Sequence, residues 1–255
     1  FAILREPLSY MSEGIALMLR VGIVGANGHL GSHLSDILMR NTPHEIYPIL
    51  RDESPPLDLD VVFVAVRPQD VGEMLDSWEV GDYLLVSFVA GVPISYYQEK
   101  GFHNVVRAMC NLYFHNLAYY PPHPRKTLGI LNQIAGRAFG VDNEDEINVL
   151  TSVVGSGLAY TIGLMEQMSN YLLEHTTMPA EWCEGTVIEL FSSATYYTGT
   201  HDFINFQETI SAIASKGGTT EAGLEAMPSI EKALELATQR SRELGKEFGN
   251  ADSEE

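Results

Sequence analysis

The stretch Leu19-Arg20-Val21-Gly22-Ile23-Val24-Gly25-Ala26-Asn27-Gly28-His29-Leu30-Gly31 decides the fold. Its first half is apolar and rich in β-branched residues, as a strand buried on both faces is. Glycines interrupt it, and Leu30, Leu34, Ile37 and Leu38 follow at the three-and-four spacing of a helix. Strand, tight turn and helix in that order form a unit whose glycines let the backbone approach a pyrophosphate while the helix N–H groups point at it. The pattern is GxxGxxG rather than GxGxxG, so a tight turn without a ligand is the competing reading. Its place between strand and helix favours dinucleotide binding by Gly25, Asn27, Gly28, His29 and Leu30.

Outward from this turn the pattern repeats. A second strand, Glu45 to Leu50, runs into Arg51-Asp52-Glu53-Ser54-Pro55-Pro56, which leaves almost no room for a helix and predicts a truncated crossover. Asp60 to Val66, Tyr83 to Ala90 and Val105 to Met109 are further apolar runs separated by polar segments of helix length. Such alternation predicts an α/β fold, a Rossmann-like parallel sheet covered on both faces. The end of the second strand selects the cofactor: Arg51 favours the 2′-phosphate of NADP, Asp52 or Glu53 the 2′-hydroxyl of NAD. The balance goes to NADP over NAD, with solvated loop charges as the alternative for all three.

After Asn111 a stretch with Tyr119, Tyr120, Pro121, Pro122 and Pro124 is expected to be neither regular helix nor central strand. From Ser152 to Glu247 the periodicity is helical, with helices over Thr161–His175, Ala180–Thr198 and Pro228–Glu247. Pro228 suits a first helical turn, and Gly245 is read as the stop of the last helix. The expected division is an extension over 1–17, a dinucleotide-binding domain over 18–150, an all-helical substrate and dimerisation domain over 151–248, and an acidic tail over 249–255.

Composition bounds the function. A chain of 255 residues suits two domains, and its 45% hydrophobic and 19% charged residues describe a globular protein. The 34 acidic residues outnumber 15 basic ones, and a net charge of −19 repels a nucleic-acid backbone and an anionic membrane alike. A salt-rich cytoplasm is another setting for such acidity. Cys110 and Cys183 are too few for a disulfide framework or a zinc site. No histidine is paired with a carboxylate at helical ligand spacing, so no metal is expected; His115 and His123 either border the site or are ordinary loop residues. No uninterrupted apolar run reaches the roughly 18 residues of a spanning helix, so none is expected. Residues 1–17 carry Glu6 and Glu13 without a basic start, unlike a secretory signal, and Met18 is a second possible start. The expected location is the cytoplasm.

A second constellation, Ser215-Lys216-Gly217-Gly218-Thr219-Thr220, precedes a short helical pattern and gathers hydroxyls and backbone N–H groups at a helix start. This is an anion site free to hold a substrate carboxylate, or else a structural helix cap.

Five segments, in order, carry a resemblance to the pyrroline-5-carboxylate reductase family over about Met18 to Lys246. Val64-Ala65-Val66-Arg67-Pro68-Gln69 resembles its AVKPQ, Ser87 to Gly91 its strand leading to an AG pair, and Arg107-Ala108-Met109-Cys110-Asn111 its RxMPN. Gly155 to Tyr160 is similar to GSGPAY, and Ser215 to Gly223 to SPGGTTxxG. Three family prolines are replaced, by Cys110, Leu158 and Lys216, and the first glycine motif is shifted; these departures bear on the substrate more than on the fold.

The resemblance implies NAD(P)H-dependent reduction of Δ1-pyrroline-5-carboxylate to proline. Ser215, Gly217, Gly218, Thr219 and Thr220 would grip the carboxylate, with the Thr220 hydroxyl near the imine nitrogen. Asn111, Ala90 and Gly91 would line the nicotinamide, and Val66, Arg67 and Pro68 would border the ribose. Asp202 is the nearest candidate for an acidic residue that orients the site. The implied assembly is a homodimer or higher homo-oligomer built by the helical domain. Other readings are hydride transfer to another imine or ketone, or to a deazaflavin, and a silent dinucleotide-binding dimer.

Overall fold

Alternate residues of the first strand face opposite ways, and both sets are buried. Val21 and Ile23 of β1 (Arg20–Val24) enter one apolar layer, and Val24 enters the other. The same division runs through β3 (Val61–Val64), where Val61 and Phe63 oppose Val62 and Val64. Strands buried on two faces need helices on both, and these short connections supply them. Leu34 and Leu38 of α1 (His29–Asn41) and Ile130, Leu131 and Ile134 of α4 (Arg125–Ile134) cover the first face. Val71, Met74 and Leu75 of α2 (Val71–Asp76), with Ile94, Tyr96 and Tyr97 of α3 (Ile94–Glu99), cover the second.

This architecture belongs to a computed structural model, which describes residues 18–50, 53–121, 125–199, 205–225, 227 and 229–249. The remaining strands are β2 (Glu45–Ile49), β4 (Leu84–Ser87), β5 (Val105–Cys110), β6 (Asn116–Tyr120) and β7 (Arg137–Gly140). They form one sheet in the order β2-β1-β3-β4-β5-β6-β7, parallel throughout except where β5 meets β6. The chain reverses its direction of travel across the sheet between β1 and β3, and the carboxyl ends of β1, β3, β4 and β5 share one edge. No helix lies between β2 and β3 among the described residues, in line with the truncated crossover.

The helical part comprises α5 (Asp145–Leu150), a π-helical turn at Thr151–Gly155, α6 (Gly157–His175), α7 (Ala180–Gly199), α8 (Phe206–Ile213), α9 (Thr219–Glu225) and α10 (Glu231–Gly249). The chain divides into two compact units. Ala159–Lys232 form a helical unit, whereas the sheet unit runs up to Leu158 and resumes at Ala233.

Four expectations need correction. Asn116–Tyr120, inside the stretch read as non-strand, is a central strand, because its prolines fall after Tyr120 and remove no ladder hydrogen bond from it. Gly245 does not stop the last helix, which continues to Gly249. Most of that helix belongs to the sheet unit rather than to the helical one. Finally, the continuous helical run Asp145–His175 is long and apolar enough to cross a membrane by length and composition, and 11% of its most apolar window is buried. Counting uninterrupted apolar residues missed it, because Ser, Thr and Gly break such a run without making it strongly polar.

Candidate functional site

Gly25 adopts φ +83°, and a Cβ there would lie 2.5 Å from the Ala65 carbonyl oxygen, so the glycine lets the first turn press against the end of β3. A Cβ on Gly31 would overlap the Gly25 carbonyl, so α1 starts closer to β1 than any side chain permits. Gly28 stands at the start of α1 without a side-chain cap, leaving the first-turn amides of His29 and Leu30 to meet an anion. Asn27, Gly28 and His29 are exposed, and Gly25 and Leu30 are half-buried. This cradle fits a dinucleotide pyrophosphate at the point where the sheet order reverses.

The next loops leave the same edge. Val66 lies beside Gly25, exposed Arg67 follows, and Pro68 opens a single helical turn through Asp70. Beyond β4, Ala90 is half-buried and Gly91 is buried. Gly91 has φ +79°, and a Cβ there would overlap Leu244 of α10, so helix packing alone already demands a glycine. The Asn111 side chain accepts from the amides of Tyr113 and His115, both at 3.2 Å, which fixes the loop after β5. Gly25, Asn27, Gly28, His29, Leu30, Val66, Arg67, Pro68, Ala90, Gly91 and Asn111 therefore come together along one edge. Arg51 and Asp52 lie outside the described residues, as do His123 and Asp202.

A polar network that the sequence did not reveal lies behind this edge. Arg107 of β5, only 2% exposed, donates to Glu144 Oε1 at 2.8 Å and to Asn148 Oδ1 at 3.1 Å. The same Glu144 oxygen accepts from the Ile94 amide at 2.9 Å. Asn148 Oδ1 also accepts from Ser241 Oγ at 3.0 Å, and Arg242 makes a two-pronged ion pair with Asp145 at 2.8 and 2.6 Å. That pair holds the Asp145 carboxyl at about 2, below its ordinary 3.8. Nearby, the Tyr97 hydroxyl bonds Ser87 Oγ at 2.7 Å, and burial pushes the Tyr97 phenol up. Burial also pushes up the Cys110 thiol, beside Asn111, which keeps it protonated and unreactive.

The second constellation lies wholly in the helical unit. Gly217 has φ +70°, the Gly218 amide donates to the Ser215 carbonyl at 2.9 Å, and Thr219 opens α9. A Cβ on Gly218 would overlap Ser215 Oγ and lie 2.9 Å from the Ser215 carbonyl oxygen, so a larger residue there would have to shift the turn. Ser215, Lys216, Gly217, Thr219 and Thr220 are exposed. The Gly217 amide already holds a carboxylate, that of Glu221, at 2.6 Å. That contact satisfies the Gly217 amide within the turn, as a capping side chain does, and Glu221 is a neighbour the sequence reading overlooked. Among the described residues no cluster of three or more His, Cys, Asp or Glu could hold a metal ion.

The chain's similarities agree with this geometry. Residues 144–244 match the family model described as pyrroline-5-carboxylate reductase dimerisation. Pyrroline-5-carboxylate reductase from Staphylococcus haemolyticus is 27% identical over 78% of this chain and 80% of its own length. The enzyme of the same name from Staphylococcus saprophyticus is 29% identical over 72% of this chain and 74% of its own. Among solved structures, a 1-pyrroline-5-carboxylate reductase from Streptococcus pyogenes superposes with a TM-score of 0.73 at 18% identity, covering 89% of this chain and 99% of its own. A Plasmodium falciparum pyrroline carboxylate reductase with NADP bound gives 0.71 at 18% identity, covering 89% and 98%.

Proposed function

We propose that this chain, which belongs to the pyrroline-5-carboxylate reductase family, reduces a cyclic imino acid with NAD(P)H, and that its substrate is Δ1-pyrroline-5-carboxylate and its product proline. The observation that carries the reading is the Ser215–Thr220 turn, which sets the exposed Ser215, Thr219 and Thr220 at the start of α9, where the family resemblance puts the substrate carboxylate.

The dinucleotide, when bound, supplies a hydride to the C=N carbon, and a proton on nitrogen completes the secondary amine. The Gly25–Leu30 turn holds the pyrophosphate, and Arg67 and Pro68 border the ribose. Ala90 and Asn111 bound the space for the nicotinamide. In the helical unit Ser215, Gly218 and Thr219 hold the substrate carboxylate, and the Thr220 hydroxyl bonds the imine nitrogen or relays its proton. An iminium carbon is already electrophilic, so holding and alignment are the main demands on the protein. The cofactor preference assigned is NADP over NAD, and residues 144–244 join the chain to copies of itself.

The replacement of three family prolines by Cys110, Leu158 and Lys216 favours, as a second reading, hydride transfer to a related imino or keto acid on the same scaffold. Reduced-nicotinamide absorbance, followed with NADPH and NADH against a panel of imino and keto acids, separates the readings. Fastest turnover with pyrroline-5-carboxylate supports the first; preference for another acid replaces it with the second, and dinucleotide binding without any turnover removes both.

A further inference from the structure

We infer that Glu144 is a positioning residue for hydride transfer: its carboxylate locks the Ala90–Gly91 turn to the strand that carries Asn111. The assignment rests on the preceding reading for the reaction, but its geometry is independent of the substrate.

The two nicotinamide-facing segments leave adjacent parallel strands, since Leu85, Val86 and Ser87 of β4 pair with Val105, Val106 and Arg107 of β5. Beyond the strands, nothing in the ladder keeps their ends in register. Glu144 does so with one atom, as its Oε1 accepts both from the Ile94 amide, three residues after Gly91, and from Arg107 inside β5. Ser87 Oγ, steadied by the Tyr97 hydroxyl, accepts from the Val89 amide on the other side of the turn. Gly91 itself is covered by α10, and a Cβ on Gly245 would come within 2.8 Å of the Gly91 carbonyl oxygen. The α10 helix is in turn tied to the same guanidinium through Ser241 and Asn148. The turn is therefore pinned before, at and after Ala90, the half-buried residue of its apex.

Such an arrangement is costly for stability alone. A guanidinium buried at 2% exposure, with its Nε lacking a partner among the described residues, stabilises less than an apolar cluster of the same volume. What the network supplies is fixed geometry, because Arg107, Glu144 and Asn148 are each held by two or more partners. Hydride transfer is sensitive to that, since misplacing a reacting group by about 1 Å costs up to about 100-fold in rate.

The test compares the full chain with Glu144→Ala, Glu144→Gln and Ser241→Ala. It reads kcat, KM for NADPH, the primary isotope effect with 4-deuterated NADPH, and the fluorescence of bound NADPH without substrate. In Glu144→Ala kcat is expected to fall about 10- to 100-fold. KM for NADPH stays nearly constant, the isotope effect rises, and bound NADPH emission moves toward that of the free cofactor. Glu144→Gln, which keeps both acceptor contacts, restores most of the lost kcat; Ser241→Ala shows the same changes more weakly and carries the test if Glu144→Ala fails to fold. Variants that lose thermal stability while kcat, isotope effect and emission stay as in the native protein overturn the inference, and so does a change confined to KM. If the native protein binds NADPH but reduces no imine, the preceding reading fails, and the emission comparison alone decides this one. Failure of NADPH to bind the native protein overturns both.

Discussion

The sheet unit and the helical unit treat their apolar residues in opposite ways. In the first, Val21, Ile23, Val62, Phe63, Val64, Val86 and Val106 are almost wholly buried under helices of the same chain. In the second, Cys183 and Val187 are the only buried apolar residues among those described. Ile162, Tyr171, Trp182, Ile188, Leu190, Tyr196, Phe206 and Ile213 are each about half exposed or more. A parallel sheet carries the instructions for its own covering, since every crossover helix packs back on the strands it joins. Helices α6, α7 and α8 instead carry large apolar side chains that the described residues leave exposed. That surplus falls within the residues matching the dimerisation model, and it fits a homo-oligomer.

The most direct way to break this contrast is to charge the exposed faces. The double variant Ile162→Glu, Ile188→Glu should turn an oligomer into a monomer in size-exclusion chromatography with light scattering. Unchanged mass would mean that these faces are not where copies meet. The contrast is sharpened from the other side by Arg107→Met, which strands Glu144. Because Glu144 is partly exposed, the expected loss in urea unfolding is about 2–3 kcal/mol, below the roughly 3–5 kcal/mol of a fully buried pair. A loss below about 0.5 kcal/mol, the range of an ordinary surface substitution, would show that the network does not hold the sheet unit together. Gly91→Ala, forced into a left-handed φ against Leu244, should cost about 1–3 kcal/mol by the same assay.

Legibility follows the same divide. The first five strands, the glycine turn and the second helix-start constellation could be read directly, because each is local: an apolar run, a turn residue, a helix onset. What escaped is what the fold assembles from a distance. Arg107 and Glu144 are 37 residues apart, and Asn148 and Ser241 are 93 apart, with no local mark of either contact. Helical periodicity identified α10 but could not say which unit it packs against, and Gly245 looked like a stop because its clash partner, Gly91, is remote in sequence. The tyrosines before Pro121 looked unfit for a strand until the prolines proved to follow it.

Two smaller effects test the edges of the account. Removing the Glu221 carboxylate frees the Gly217 amide for the substrate, so Glu221→Ala should lower KM for the imino acid by up to about 5-fold, the scale of an exposed ion pair. A raised KM would instead make Glu221 a support of the turn. Asp145 has a folded pKa of about 2 against an ordinary 3.8, so its pair with Arg242 contributes stability above about pH 4 and loses it as pH falls toward 2. Both side chains are about half exposed, so the effect is small and screened by salt. Acid unfolding of Asp145→Asn should show a shallower slope in that window; an unchanged slope would remove the pair from the stability of the last helix.

The central claim, that this chain reduces an imino acid with NAD(P)H and that Thr220 serves the reaction, is tested most directly by one comparison. NADPH oxidation with Δ1-pyrroline-5-carboxylate is measured for the native protein and for Thr220→Ala, with NADPH affinity measured alongside. The account predicts native turnover, a loss of about 100-fold in kcat/KM on removing the hydroxyl, and unchanged NADPH affinity. Native turnover that survives in Thr220→Ala would contradict the site, and NADPH binding with no native turnover would contradict the reaction.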